Sequence, residues 1–134
     1  MSAAFLSDEW FAALTSAVEG RARYEGPPFV VEVRVAGGEA GPVAYHVVLE
    51  PGASLRYVPG PAPGEPSASY DQAWADALAQ ATGGYDPAVG FMQGNLKVKG
   101  SSRPLFELFR LWADPEVRAA LVRVGTEAGL AVTG

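Results

Sequence analysis

Alternating apolar and polar positions predict three strands in the first half of the chain. Residues 29–35 place four apolar side chains on one face, with Glu32 and Arg34 on the other. Residues 43–50 and 53–58 repeat this alternation, and turns rich in glycine and proline separate the segments. Because each segment has one apolar and one polar face, we expect an antiparallel meander that is buried on one side.

Helical spacing and capping residues predict the elements around these strands. Ser7 is a favourable N-cap for a first helix. Residues 67–70 are interpreted as a short fourth strand, and Asp71 as the cap of a helix that follows it. Asp86 and Asp114 each precede a proline, which is typical of helix starts. They predict a short helical turn and a last helix near the end of the chain.

The strongest apolar signal lies between residues 91 and 112. Leu96 and Val98 alternate with lysines, which predicts a fifth strand. Ser101 or Ser102 can cap the helix that follows. The apolar positions of that helix fill more than the single stripe that a surface helix needs, and they are Leu105, Phe106, Leu108, Phe109, Leu111 and Trp112. We therefore expect apolar cover on more than one side of this helix.

The order of these elements indicates the fold class. A helix precedes three strands, a fourth strand precedes helices, and a fifth strand precedes two final helices. Runs of strands and of helices, without strict alternation, are typical of α+β domains in which the helices cover one sheet face. The length of 134 residues predicts one domain, from residue 1 to residue 134.

Charge is distributed unevenly along the chain. The net charge is −5: residues 1–93 hold eleven acidic and four basic residues, whereas residues 94–134 hold six basic and four acidic residues. Because an acidic chain of this kind binds nucleic acid poorly, we expect no nucleic-acid partner. The basic end could contact an anionic membrane surface transiently, although a mixed solvated face is the simpler interpretation.

The sequence also carries expectations about location. Its first residues lack the basic region of a secretory signal, and acids arrive at Asp8 and Glu9. No uncharged apolar run approaches the ~18 residues needed to span a bilayer. We therefore expect a soluble, cytoplasmic protein, and the richness in alanine, glycine, proline and valine favours a bacterial source.

Side chains that could support catalysis are few. His46 is the single histidine, and alternation places it on the polar face with Glu32 and Arg34, where we expect it to be exposed to solvent. The chain has no cysteine and neither the HExxH motif nor a calcium-binding loop. Its glycine-rich segments match neither the phosphate-binding loop nor the dinucleotide fingerprint. We therefore expect no enzymatic activity, no metal and no cofactor.

Three motifs follow one another between residues 85 and 112. They are Asp86-Pro87 leading to Gly90-Phe91-Met92-Gln93-Gly94, then Leu96-Lys97-Val98-Lys99-Gly100, then the apolar helix. In this order they resemble the sterol carrier protein 2 family, although Ser101-Ser102-Arg103-Pro104 departs from its pattern. The resemblance implies a five-stranded mixed, mostly antiparallel sheet with helices packed on one face. It also implies an apolar tunnel between sheet and helices that takes sterols, fatty acids or fatty acyl groups.

The resemblance and the apolar excess together indicate a set of ligand-binding residues. Its members are apolar side chains that would line the tunnel, namely Val33, Trp74, Phe91, Met92, Leu105, Leu108, Phe109, Trp112 and Leu121. Arg21 and Arg23 are candidates for holding a ligand carboxylate at the end of the tunnel. The expected function is non-catalytic binding and carrying of a fatty acid, a fatty acyl group or a sterol-like lipid.

Other interpretations of the same residues stay open. The apolar set could be ordinary core, and Arg21 and Arg23 could lie in a solvated loop. An exposed apolar patch would also suit a partner surface, so the expectations include a monomer and a homodimer. A structural or protein-interaction domain with a filled cavity would have the same pattern, as would an accessory domain of a separate enzyme.

Overall fold

The computed structural model describes residues 5–21, 23–38, 41–94 and 96–129. Within these residues the helices and strands follow one another in the order that the sequence predicts. In chain order they are α1 (Asp8–Val18), β1 (Phe29–Ala36), β2 (Val43–Leu49), β3 (Arg56–Pro59), β4 (Ala68–Ala73), α2 (Trp74–Ala81), α3 (Pro87–Met92), β5 (Lys97–Gly100), α4 (Ser102–Ala113) and α5 (Pro115–Glu127).

The five strands form one mixed sheet in the order β3-β2-β1-β4-β5. Strands β1, β2 and β3 pair antiparallel, as β4 and β5 also do, whereas β1 and β4 pair parallel. The meander expected for the first three strands is therefore confirmed. The mixed, mostly antiparallel α+β architecture implied by the resemblance is confirmed as well.

The apolar face of the sheet forms the core together with the helices. Val31, Val33 and Val35 of β1 are buried, as are Val47 and Leu49 of β2. Helix α4 packs against β1 and β4, α1 packs against β3, and α5 contacts α1, α2 and α4. Since alternate residues of a strand point to the same face, this burial follows directly from the period-two pattern of the sequence.

Helix α4 is buried on nearly all of its apolar positions. Ser101 caps it, because its side chain accepts a hydrogen bond from the Arg103 backbone N–H. The buried residues of the helix are Pro104, Leu105, Leu108, Phe109, Leu111 and Trp112. Strands β1 and β4 cover one side, and helices α3 and α5 cover others. The expected apolar cover on more than one side is confirmed, with Phe106 as the exposed exception.

The structure corrects two boundaries. Asp71 does not cap a helix: it lies inside β4, and α2 begins only at Trp74. The physical reason is pairing, because β4 lies between β1 and β5, and the Asp71 carboxylate accepts a hydrogen bond from Arg34 Nε at 3.0 Å. The third strand begins at Arg56 and not at residue 53, since Ala53 forms an isolated bridge with Tyr24.

The polar face of the sheet is covered by the proline-rich loop between β3 and β4. His46 was expected to be exposed, but only 7% of it is. Its Nδ1 lies 2.9 Å from the Gly60 carbonyl oxygen, and the Glu32 carboxylate accepts a hydrogen bond from the Ala62 backbone N–H at 3.0 Å. The loop crosses this face because these polar side chains offer partners to its backbone. In the part of the chain that the structure describes, the helices lack the length and apolar character needed to cross a bilayer.

Candidate functional site

A cavity lies between the sheet and the helices, where α1, α2, α4 and α5 approach one another. Aromatic and aliphatic side chains dominate its wall, which consists of Phe5, Leu6, Trp10, Phe11, Leu14, Tyr45, Tyr57, Gln72, Ala77, Gln80, Ala81, Trp112 and Leu121. Its empty space, including the open mouth, is about 490 Å³. Only about 60 Å³ of this can hold the centre of a water molecule, so the interior is narrow.

Helices α1 and α2 supply much of the apolar wall for simple reasons of periodicity. Trp10, Phe11 and Leu14 are spaced three or four residues apart, so they share the face of α1 that points to the sheet. Ala77 and Ala81 share a face of α2 in the same way. Because alanine ends at Cβ, these two positions leave room that larger side chains would occupy.

Four polar residues face the cavity, and each is uncharged. Trp112 Nε1 donates a hydrogen bond to the Tyr57 hydroxyl at 2.7 Å, across the cavity wall from α4 to β3. Gln72 Nε2 donates a hydrogen bond to Gln80 Oε1 at 3.0 Å and so joins β4 to α2. The fourth polar residue is Tyr45, whose ring lies 4.7 Å from that of Phe11 between the ring centroids.

Burial keeps the cavity tyrosines protonated. Loss of solvation raises the pKa of Tyr45 well above its usual value of 10. The pKa of Tyr57 is raised for the same reason, and further by the neighbouring Tyr45, while the hydrogen bond from Trp112 lowers it. Both hydroxyls therefore act as neutral hydrogen-bonding groups throughout the physiological pH range.

Phe5 and Leu6 cover one side of the cavity, directly before α1. The Phe5 ring packs edge-on against Trp10 and against Trp74, with centroid separations of 5.1 Å in both pairs. Leu6 has a φ of +62°, in the left-handed region that a residue with a Cβ adopts at a cost of about 1–3 kcal/mol. The two residues are only half-buried, so they form a thin and strained part of the wall.

The structure places the predicted ligand-binding residues in three groups. Trp112 and Leu121 line the cavity, and Trp74 lies beside it against Phe5. Four residues are packed in the core and do not line the cavity, namely Val33, Leu105, Leu108 and Phe109. Phe91 is half-buried against Phe106 and Phe109, and Met92 is 76% exposed on the surface. The ligand-binding role of each residue remains a prediction.

Arg21 and Arg23 lie away from the cavity. Both are exposed and line a separate recess at the end of α1. Arg21 Nε donates a hydrogen bond to the Ala17 carbonyl at 3.0 Å, and Arg23 pairs with Glu25 at 2.7 Å. The cavity itself has no cation among its lining residues. Their proposed role as carboxylate anchors is not tested by this placement, but the structure does not bring them to the cavity.

Sequence reasoning missed most of the wall. Trp10, Phe11 and Leu14 have the pattern of any helix that packs on a sheet, so no local signal marks them as cavity residues. Tyr45 and Tyr57 did carry a signal, because they occupy inward positions of strands and a buried tyrosine hydroxyl usually needs a partner. The assignment of a helix cap at Asp71 placed Gln72 in the wrong element and hid its inward position.

Solved structures provide the decisive comparison. The palmitated SCP2L2 of Aedes aegypti matches with a TM-score of 0.61 and 17% identity, over 84% of this chain and 96% of that chain. A crystal structure of sterol carrier protein 2 matches with a TM-score of 0.61 and 17% identity, over 96% and 100% of the two chains. The chain has the sterol carrier protein 2 fold.

A third structure extends this likeness to a bacterial protein. The conserved hypothetical protein TT1886 of Thermus thermophilus shares the sterol carrier protein 2 fold with a TM-score of 0.61 and 17% identity, over 92% of both chains. No protein-family model matches the sequence, and no curated protein matches it. The likeness is therefore one of architecture, and the ligand has to be argued from the cavity of this chain.

Proposed function

We propose that the protein binds a lipid, or another apolar small molecule, in the cavity and carries it without covalent chemistry. The observation that carries this proposal is the wall of aromatic and aliphatic side chains with four uncharged polar residues. Such a composition is typical of ligand pockets, in which a few polar groups orient an apolar molecule. The palmitated SCP2L2 of Aedes aegypti, which has the same fold, supports a lipid as the class of ligand.

Ligand entry requires the wall to move. The space for water centres, about 60 Å³, is smaller than the roughly 300 Å³ at the lower end of ligand pockets. Phe5 and Leu6 are suited to this movement, because they are half-buried and the backbone of Leu6 is strained. Displacing them would enlarge the cavity and release that strain, so part of the energy of opening is already present in the protein without ligand.

The driving force for binding is the removal of apolar surface from water. Each buried methylene contributes about 0.8 kcal/mol, which corresponds to a gain in affinity of about fourfold per carbon. The first prediction is that affinity rises with chain length, for both 1-alkanols and fatty acids from eight to sixteen carbons, until the cavity is full. Tryptophan fluorescence measures this binding directly, because Trp10 and Trp112 line the cavity.

Native mass spectrometry of the purified protein complements this series. A carrier should retain a co-purified molecule of a few hundred daltons, or take up the added ligands one per chain. Equal affinity across the whole series, or no uptake of any chain, would contradict the proposal. That result would favour a structural or protein-interaction domain in which the fold is kept and the cavity has lost its use.

A membrane surface is the proposed place of lipid exchange. The exposed large apolar side chains of the described residues lie on α3 and α4: Val89 is 42% exposed, Met92 76% and Phe106 51%. Residues 87–112, which contain these two helices and β5, hold four basic residues and one acid, a net charge of +3. The rest of the chain holds six basic and fourteen acidic residues, a net charge of −8.

Apolar exposure and positive charge therefore coincide in one segment of an otherwise acidic protein. Anionic lipid headgroups attract the basic residues, and apolar side chains can enter the interface between headgroups and acyl chains. We propose that residues 87–112 make a transient contact with an anionic membrane and that the acidic remainder is repelled from it. This contact would place the protein beside the lipids that it takes up.

A further inference from the structure

The cavity wall lacks formal charge altogether. Among its lining residues there is no Asp, Glu, Lys, Arg or His. The pKa shift of Tyr45 has burial as its cause, and the groups that act electrostatically on Tyr57 are Tyr45 and the Trp112 hydrogen bond, not an ionised residue. Both observations describe an interior that no nearby cation or anion polarises.

The wall nevertheless offers hydrogen bonds to a ligand. The Tyr57 hydroxyl accepts a hydrogen bond from Trp112 and so keeps its own proton free to donate. The Tyr45 hydroxyl has no hydrogen-bond partner among the described side chains, and it can donate or accept. The Gln72–Gln80 pair uses one donor and one acceptor, which leaves the second amide oxygen and further N–H groups available.

An ionised ligand head would be poorly accommodated here. Transfer of a carboxylate from water to an uncharged, apolar site is unfavourable unless a cation meets it, and such a group usually takes up a proton instead. Arg21 and Arg23, the cations expected at the tunnel end, lie in a different recess. A neutral hydroxyl or carbonyl oxygen, in contrast, needs only the donors and acceptors that Tyr45, Tyr57 and the glutamine pair provide.

We infer that the cavity selects lipids with an uncharged polar end, such as an alcohol, an ester, an amide or a ketone, over those with an ionised carboxylate. The inference rests on the proposed function, since it concerns the same cavity. It assigns Tyr45, Tyr57, Gln72 and Gln80 as the residues that recognise this end of the ligand.

The test compares ligands that share an acyl chain and differ in their head. Binding of 1-dodecanol, methyl dodecanoate and sodium dodecanoate is measured at pH 7.5, below their aggregation limits, by tryptophan fluorescence and calorimetry. The alcohol and the ester should bind at least about tenfold more tightly than the carboxylate, a difference worth about one pKa unit of discrimination.

The pH dependence gives a second readout with a definite sign. If only the protonated acid enters, the carboxyl pKa is higher in the complex than in water. Dodecanoic acid should then bind well below its free pKa and lose about tenfold in affinity for each pH unit above it, until the pKa of the complex is reached. The affinity for 1-dodecanol should stay constant from pH 5 to pH 8.

Substitutions then connect the preference to the named residues. Tyr45→Phe should weaken 1-dodecanol binding by about three- to tenfold, the value of one hydrogen bond. Tyr24→Phe is the matched control, because the Tyr24 hydroxyl donates to the Pro27 carbonyl outside the cavity. Gln80→Arg should reverse the preference by bringing a guanidinium to the half-buried edge of the cavity, and thermal melting checks that each variant is folded.

The outcomes separate the two proposals. Dodecanoate binding as tight as 1-dodecanol at pH 7.5 would overturn the inference and leave the carrier function intact. A Gln80→Arg variant that is folded and binds 1-dodecanol but gains nothing for dodecanoate would also overturn it. Failure of every dodecyl ligand to bind would instead refute the carrier function on which the inference depends.

Discussion

Tyr57 and Tyr70 are two buried tyrosines with opposite hydrogen-bonding situations. The Tyr57 hydroxyl is held by Trp112, whereas the Tyr70 hydroxyl is fully buried and has no partner among the described residues. Tyr70 lies in β4 beside Val33, which in turn pairs with Tyr45, so the three side chains form one row on the inner face. Burial raises the pKa of Tyr70 strongly, and the neighbouring tyrosines add to the shift.

Removing these two hydroxyls should have different effects on stability. Tyr57→Phe leaves the Trp112 indole N–H buried without an acceptor, and we expect it to lower the free energy of unfolding by about 1–3 kcal/mol. Tyr70→Phe removes a hydroxyl that lacks a partner, so it should be neutral or slightly stabilising. Urea denaturation of both variants measures this. An equal loss in the two would show that the Trp112 hydrogen bond contributes nothing specific.

The inner strands could be predicted from the sequence because their alternation is a property of each strand alone. Residues 29–35 carry it with four apolar positions, and the pattern is kept in the structure. Strand β4 was only partly predicted, because Ser69 and Asp71 have polar partners that come from β1. The cavity could not be predicted, since whether two apolar faces touch or leave a gap depends on how far apart the elements are held.

Helix α2 determines much of that gap. It begins directly where β4 ends, so the Gln72–Gln80 hydrogen bond ties the end of the strand to the helix. Ala77 and Ala81 face the cavity from this helix, whereas Ala75 points to solvent. A short helix with alanine at its inner positions is what keeps space open between α1 and the sheet.

Filling this space from α2 should abolish ligand binding while the fold is kept. Ala77→Leu places three further carbons in the cavity, and we expect binding of 1-dodecanol to fall by at least about tenfold, since roughly three methylenes of ligand would be displaced. Stability should stay within about 1.5 kcal/mol, because the added side chain occupies empty space.

Ala75→Leu, on the exposed side of the same helix, is the matched control. It should leave both ligand affinity and the melting temperature close to those of the unchanged protein. Ligand binding that persists unaltered in Ala77→Leu would place the ligand elsewhere in the molecule.

At the scale of the whole molecule, the separation of charge matters more than its net value. Residues 87–112 are positive and the remainder is strongly negative. Attraction to an anionic surface therefore depends on orientation, and it weakens with salt because the Debye length falls to about 8 Å at physiological ionic strength. The apolar side chains of the same segment add a contribution that salt does not screen.

Two charge reversals of equal size test this asymmetry. Arg103→Glu, at the start of α4, should reduce binding to vesicles that contain anionic lipid by severalfold, because each basic residue near the surface contributes about 1 kcal/mol. Arg123→Glu changes the net charge by the same amount on exposed α5 and should have little effect. Vesicle co-sedimentation measures both, and equal losses would refute a contact specific to residues 87–112.

The two ends of the sheet are closed in different ways. Helix α1 lies against β3 at one end. At the other end, β5 has only four residues, and its Lys97 and Lys99 are exposed. Short edge strands with lysines oppose the addition of a further strand, because an incoming chain would have to bring its own backbone against fixed positive charges. Such an edge protects a protein with a partly open interior against fibrillar aggregation.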